Sequence, residues 1–130
     1  RPSTIGVDTV TLSSFNAHEN AIFLQRNYTE RERQSLQLQS HRSFRSAVAS
    51  GWCAKEAVFK CLQTVSKGAG AAMSEIEIVR VQGAPSVLHG DALAAAQKAG
   101  LDNIQLSLSY GDDCVVAVAL GVRKWCLWPL

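Results

Sequence analysis

Three charged side chains have types and positions that suggest joint chemistry: Asp8, Glu56 and Lys60. Asp8 stands alone among apolar and β-branched neighbours in residues 4–12, where a buried carboxylate is costly unless a cation or hydrogen bonds compensate it. Glu56 and Lys60 follow Trp52 by four and eight residues, so on a helix the three lie on one stripe. A Glu–Lys pair beside a packed tryptophan is also typical of an ordinary helix surface. The combination with Asp8 favours a functional site.

Two carboxylates from separate elements suggest a divalent cation. Proteins typically hold Mg²⁺ with one or two carboxylates, while water and substrate phosphate oxygens complete its shell. Lys55 and Lys60 are then predicted to face the anionic part of a substrate. Gly68 and Gly70 offer backbone N–H groups to phosphate, although a glycine loop of this kind is equally typical of a linker. Together these residues predict a site for a metal ion and a phosphate-bearing substrate.

The local sequence patterns place these residues on a strand and on a long helix. Residues 4–12 are rich in β-branched types and predict a strand, whereas apolar residues at helical spacing predict a helix over about residues 44–65. Residues 114–120 are almost wholly apolar, which predicts a central strand. Similar patterns predict further elements, with helices over about residues 16–26, 29–39 and 91–98, and strands over residues 76–81, 86–89 and 104–109. We therefore expect the α+β class, with a mainly antiparallel sheet packed on the long helix.

Specific residues mark the ends of two helices. Thr29 and Glu32 match a capping box at the start of the helix over residues 29–39. Asp91 is expected to cap the last helix, and Gly100 is expected to end it in the left-handed conformation.

Composition excludes several classes of protein. The chain has 130 residues, of which 47% are apolar, so one domain can bury a proper core. The net charge of +2 is too small for a dedicated nucleic-acid binder, and no apolar run reaches the length of a membrane span. Charged residues amount to only 18%, which suggests that some surface is buried against other protein.

The cysteines favour a reducing compartment. None of the four forms a C-x-x-C pair, and they are spread along the chain as Cys53, Cys61, Cys114 and Cys126. A disulfide framework or a zinc cluster is therefore disfavoured, and we expect buried thiols in a cytoplasmic protein.

The motifs taken together resemble a known family. Gly6-Val7-Asp8, followed 48 residues after Asp8 by Glu56 in the segment 52–57 and then by Lys60, resembles the signature pair of 4′-phosphopantetheinyl transferases. Residues 23–32 are similar to that family's F-x-x-R-x-(F/Y)-T-x-x-E segment, and residues 68–70, 83–90 and 106–110 resemble its glycine loop, its G-x-P-x-x-x-x-G turn and a late strand. The resemblance is strongest to the holo-acyl-carrier-protein synthase type, especially the transferase domain of fungal fatty acid synthase α chains.

The resemblance implies an activity. It is the transfer of the 4′-phosphopantetheine arm from coenzyme A to a serine of an acyl carrier protein in fatty acid synthesis, leaving 3′,5′-ADP. In such an enzyme Asp8 and Glu56 hold Mg²⁺, and a metal-bound water oriented by either carboxylate is the expected base. Lys60 and Lys55 contact phosphate, while the nucleotide side is expected to involve Arg26, Gly68 and Gly70.

The resemblance also implies an organisation. It covers about residues 5–121, so we expect a single domain over residues 1–130 with a core at 5–121 and a tail at 122–130. Small members of the family form a homotrimer with each site between neighbouring chains. A domain of the fungal type would belong to a much longer α chain.

Two positions depart from the family pattern, and they keep other interpretations open. Tyr110 stands where many relatives have histidine; its phenol, with a pKa of about 10, can donate a hydrogen bond but is a poor base at neutral pH. Gly51 stands where bacterial relatives often have arginine. One alternative is a catalytically decayed domain of the same fold that serves as an assembly module of a fatty acid synthase. Another is a different Mg²⁺-dependent nucleotide enzyme.

Overall fold

The computed structural model describes residues 3–63, 72–81 and 84–123. The strands are β1 (Thr4–Thr11), β2 (Ile76–Val81), β3 (Ala84–Leu88), β4 (Leu101–Tyr110) and β5 (Cys114–Arg123). The helices are α1 (Ala21–Asn27), α2 (Glu30–Gln37), α3 (His41–Gln63) and α4 (Gly90–Lys98). Short 3₁₀ turns cover Ala17–Glu19 and Met73–Glu75.

The strands form two antiparallel sheets. In the larger sheet β5 lies between β1 and β4, and in the smaller one β2 pairs with β3. Asp8 of β1 and Leu108 of β4 both lie opposite Ala117 of the central strand. The central position of β5 confirms the prediction made from its apolar sequence. The combination of helices with antiparallel sheets confirms the α+β class.

Small residues let α3 approach the larger sheet closely. Gly6 faces the helix, and a Cβ there would run into the backbone oxygen of Ala57 and the backbone nitrogen of Cys61. A Cβ at Gly121 would meet the Sγ of Cys61 at 3.1 Å. The core beneath the helix is therefore built from small and medium side chains that are fully buried: Cys53, Ala57, Cys61, Val115, Ala117 and Ala119. This contact sets the middle of α3 against the strand that carries Asp8.

The region before α2 begins differently from its prediction. The helix expected over residues 16–26 starts as the 3₁₀ turn Ala17–Glu19, and a regular α-helix begins only at Ala21. The cause is Asn20, whose side chain accepts a hydrogen bond from the backbone N–H of Phe23 at 3.1 Å and so caps a new helix.

Other helix ends follow their sequence signals, with one exception. The capping box at the start of α2 is present. Gly100 follows α4 with a φ of +73°, the left-handed conformation expected at a helix end. The prediction that Asp91 caps α4 is wrong, because His89 is the N-cap and a carboxylate oxygen of Glu75 accepts the N–H of Asp91.

Part of the prediction concerns residues that the structure does not describe. The glycine loop with Gly68 and Gly70, the last predicted turn of α3, Cys126 and residues 124–130 all lie outside the described ranges. β5 continues to Arg123, so the division into a core at 5–121 and a tail at 122–130 stays a prediction.

Two further expectations can be compared with the described residues. Cys53, Cys61 and Cys114 form no disulfide among the residues that the structure describes. Within the same ranges, no helix combines the length and the apolar character needed to cross a membrane.

Candidate functional site

Asp8 lies on β1 with its carboxylate directed at α3. The side chain is 17% exposed, and its Oδ1 accepts a hydrogen bond from Nζ of Lys60 at 2.9 Å. The same ammonium donates to the backbone carbonyl of Val7 at 3.1 Å. This hydrogen bond to Asp8 is the largest cause of a raised pKa of Lys60, so the lysine stays charged. A cation therefore compensates the lone carboxylate of β1, as its apolar surroundings require.

Glu56 lies one helical turn before Lys60 and shares this electrostatic environment. Its pKa lies above the ordinary value, first because partial burial penalises the charged carboxylate and then because Asp8 is negative. The positive charge of Lys60 opposes both effects. Two carboxylates that are 48 residues apart in the chain thus lie within electrostatic reach of each other.

This pair of side chains suits a hard divalent cation. Asp8 and Glu56 offer only oxygen ligands, and they repel each other across the gap between β1 and α3. A cation bound by both would relieve that repulsion. Mg²⁺ typically takes one or two carboxylates and leaves its other positions to water and phosphate. The residues present therefore fit the ion that the sequence suggested.

Cys53 joins α3 to the sheet, whereas the sequence analysis predicted only a buried thiol at this position. Its thiol lies 3.3 Å from the backbone oxygen of Asp8 and 3.5 Å from that of Val115. Burial, followed by the negative charge of Asp8, raises the pKa of the thiol to about 12, which keeps it protonated as a donor. Cys53 precedes Glu56 by three residues, so helical spacing alone could have placed it on this side of α3.

Lys55 lies in the interior of the protein and does not reach a substrate. Its ammonium is fully buried and donates to Oε1 of Glu32 at 2.7 Å and to the backbone oxygens of Met73 and Ile76. Burial lowers the pKa of Lys55, and the charge of Glu32 opposes that effect. All three N–H donors are used within the chain, so the prediction that Lys55 contacts the substrate is wrong. The residue instead joins α3 to α2 and to the start of β2.

The two departures from the family pattern have different surroundings. Gly51 is buried, and a Cβ there would lie 3.3 Å from the ring of Tyr28, whose hydroxyl donates to the carbonyl of Val48 at 2.7 Å. Tyr28 therefore fills the space into which a side chain at position 51 would extend. Tyr110 ends β4 and is 55% exposed. Its phenol is accessible, whereas Gly51 has become part of the core.

The residues expected on the nucleotide side are placed only in part. Arg26 is exposed in the last turn of α1. Three residues earlier, the ring of Phe23 contacts Trp52 with centroids 4.9 Å apart, which fixes α1 beside the turn of α3 that precedes Glu56. Gly68 and Gly70 lie outside the described residues, so their role stays a prediction.

Comparisons with known proteins identify the relatives of this chain. The family model of the 4′-phosphopantetheinyl transferase superfamily matches residues 4–119. The fatty acid synthase α subunit aflA of Aspergillus parasiticus is 60% identical over 123 residues, and the α subunit hexA of Dothistroma septosporum is 55% identical over 125 residues. These matches cover 93% and 92% of this chain, which spans only 7% of the length of either relative.

A solved structure shares the architecture. The acyl carrier protein synthase of Plasmodium yoelii with ADP bound superposes with a TM-score of 0.76 and 26% identity, covering 93% of this chain and 95% of that one. The mixed helical and antiparallel fold is thereby confirmed. Sequence motifs, matching family model and fold agree, and the chain belongs to the 4′-phosphopantetheinyl transferase superfamily.

Proposed function

We propose that this chain transfers the 4′-phosphopantetheine arm of coenzyme A to a serine of an acyl carrier protein, in fatty acid synthesis and with Mg²⁺, leaving 3′,5′-ADP. The observation that carries the proposal is the convergence of Asp8 and Glu56 beside Lys60. The Plasmodium relative binds ADP, which shares an adenosine and a diphosphate with coenzyme A. A magnesium ion held by Asp8 and Glu56 would neutralise charge on the pyrophosphate during transfer.

The side chains of the site divide the remaining work. Lys60 is 48% exposed on a long flexible stem, so its ammonium can donate to a phosphate oxygen of the bound substrate. The backbone of Asp8 is held in place, because the thiol of Cys53 contacts its carbonyl oxygen. Phosphoryl transfer depends mainly on positioning and on charge neutralisation, and these residues supply both.

A direct assay tests the proposal. The chain is incubated with apo acyl carrier protein, coenzyme A and Mg²⁺, and the carrier is weighed by mass spectrometry. A gain of the phosphopantetheine mass is expected, together with release of 3′,5′-ADP. EDTA, Asp8→Asn and Glu56→Gln should each abolish it. Asp102→Asn is the matched control, because this exposed carboxylate of β4 should leave transfer unchanged.

Each other outcome has a defined meaning. No mass gain from a correctly folded chain would favour the assembly-module alternative. Near-normal transfer by Asp8→Asn would contradict the two-carboxylate site. Consumption of coenzyme A without a mass gain on the carrier would favour a different nucleotide enzyme.

We propose in addition that copies of the chain pack through the outer face of the larger sheet, in a homotrimer. Gly6 faces α3, so its neighbours Ile5 and Val7 point away from the helix and are 56% and 48% exposed. Leu120 lies opposite Ile5 and is 38% exposed. Light scattering should show a trimer that Ile5→Lys dissociates. Leu38→Lys, at an exposed leucine elsewhere, should leave it intact, and a monomeric wild type would contradict the proposal.

The fungal relatives support a proposal about the cellular setting of the chain. We propose that the chain acts for a fatty acid synthase α chain in the cytoplasm, with the carrier domain as its partner.

A further inference from the structure

Lys60 is the cation that lies on one of the two carboxylates proposed to hold a metal ion. Its ammonium lies 2.9 Å from Oδ1 of Asp8 and 3.1 Å from the carbonyl oxygen of Val7, and it also attracts Glu56. The two carboxylates of the site are thus already neutralised in part by a cation from α3, the helix that carries Glu56. The hydrogen bond to the carbonyl oxygen of Val7 also holds the ammonium of Lys60 against β1.

We infer that Lys60 is the counter-ion of these carboxylates in the metal-free protein, and that a divalent cation must displace it from Asp8 before the lysine becomes available to the substrate's phosphates. The inference rests on the proposed function, and it concerns how the same site loads its ion.

Charge and geometry both favour displacement. A divalent ion needs a carboxylate oxygen at about 2.0–2.1 Å, whereas the ammonium already donates to one oxygen of Asp8. An ammonium and a dication held on one partly buried carboxylate repel each other strongly, because little water separates them. Asp8 is only 17% exposed and has little freedom to serve both. Lys60 is the group that can move, since its side chain is 48% exposed.

Displacement of Lys60 links metal binding to substrate binding, two steps that are otherwise independent. While the ion is absent, Lys60 stays on Asp8 and is not directed at a phosphate. Once the ion is bound, the ammonium is released beside it, where the pyrophosphate of the substrate would lie. The lysine thus weakens metal binding and strengthens substrate binding. Removing the charge of Lys60 should therefore strengthen metal binding and weaken substrate binding.

Metal titration in the absence of coenzyme A tests the inference. Mn²⁺ binding to the wild type and to Lys60→Met is measured by electron paramagnetic resonance of the free ion. We expect Lys60→Met to bind Mn²⁺ about three- to tenfold more tightly, because the competing ammonium is gone. Lys60→Arg should stay close to the wild type. Lys98→Met removes the same charge from the exposed end of α4 and controls for net charge.

The outcomes separate this inference from the proposed function. Unchanged or weaker Mn²⁺ binding by Lys60→Met, beside measurable binding by the wild type, would overturn the displacement while leaving the metal site intact. Absence of Mn²⁺ binding by the wild type, matched by Glu56→Gln, would instead overturn the metal site itself.

A second measurement guards against a variant that does not fold. The side-chain ¹⁵N signal of Lys60 is followed in the wild type by NMR while Mg²⁺ is added. Displacement predicts a shift of this signal that saturates with the ion. A signal that is unchanged at saturating Mg²⁺ would overturn the inference.

Discussion

Replacing Lys55 with methionine removes a buried ammonium while keeping most of the side-chain volume. The carboxylate of Glu32, whose side chain is 6% exposed, then loses its cation but keeps the N–H groups of Thr29 and Ile78 as donors. Breaking one partner of a buried ion pair costs about 3–5 kcal/mol. These remaining hydrogen bonds favour the lower end, so we expect a loss of about 3 kcal/mol from a free energy of unfolding that is about 5–15 kcal/mol for a domain.

Urea unfolding followed by circular dichroism measures this loss. Lys98→Met, an exposed lysine replaced in the same way, should change the free energy of unfolding by less than about 0.5 kcal/mol. The double variant Lys55→Met/Glu32→Gln should lose about 1–3 kcal/mol less than the sum of its single variants, because the two residues interact directly. A loss below about 1 kcal/mol, or strict additivity, would refute the buried pair. A raised KM for coenzyme A in folded Lys55→Met would contradict the purely structural role and support a contact of Lys55 with the substrate.

Three further substitutions or treatments test other parts of the structure. Gly6→Ala should lower the free energy of unfolding in urea by about 3 kcal/mol, because the new Cβ meets the backbone of α3. Val7→Ala on the outer face should lower it by less than about 1 kcal/mol. Equal losses would contradict the close contact between Gly6 and α3. Cys53, with its pKa raised to about 12 by burial, should resist iodoacetamide at about pH 8 until the protein unfolds, and peptide mass mapping would reveal any labelling of the native state. The raised pKa of Glu56 means that the folded state binds more protons than the unfolded state between the ordinary value of 4.5 and the folded pKa, so stability falls as pH rises through that window. Metal-free Glu56→Gln should therefore have a higher Tm than the wild type at neutral pH and lose this advantage below about pH 4.5, and a lower Tm at neutral pH would contradict the reasoning.

The need to compensate the charge of Asp8 was predictable from the sequence, because this carboxylate breaks the apolar pattern of its strand. A carboxylate in an apolar strand requires compensation, which predicts a charged partner even though the partner's identity stays open. In the structure this partner is Lys60, which the sequence analysis predicted to contact the substrate. A local sequence pattern can predict that a buried charge needs a partner. Only the packing of α3 on β1 determines which side chain is that partner.

The burial of Lys55 had a signal that the charge pattern obscured. Val48, Lys55, Val58 and Leu62 recur at helical spacing, and all four are buried, so the apolar stripe of α3 passes through position 55. Its partner Glu32 was predicted only as part of a capping box. Residues 23 positions apart on different helices share no periodicity, so their ion pair could not be read from the sequence.

The geometry of the site depends on a contact that carries no charge. On β1, Thr4, Gly6 and Asp8 point to one face, and α3 lies so close there that only a hydrogen fits at Gly6. A side chain at Gly6 would lift β1 from α3 at the position next to Asp8, and the distance from that carboxylate to Glu56 and Lys60 would grow with it. The glycine of the Gly6-Val7-Asp8 motif is thus required by the same spacing that lets two carboxylates share one cation. We therefore assign the glycine two residues before the acid to the proposed metal site, although it contributes no ligand.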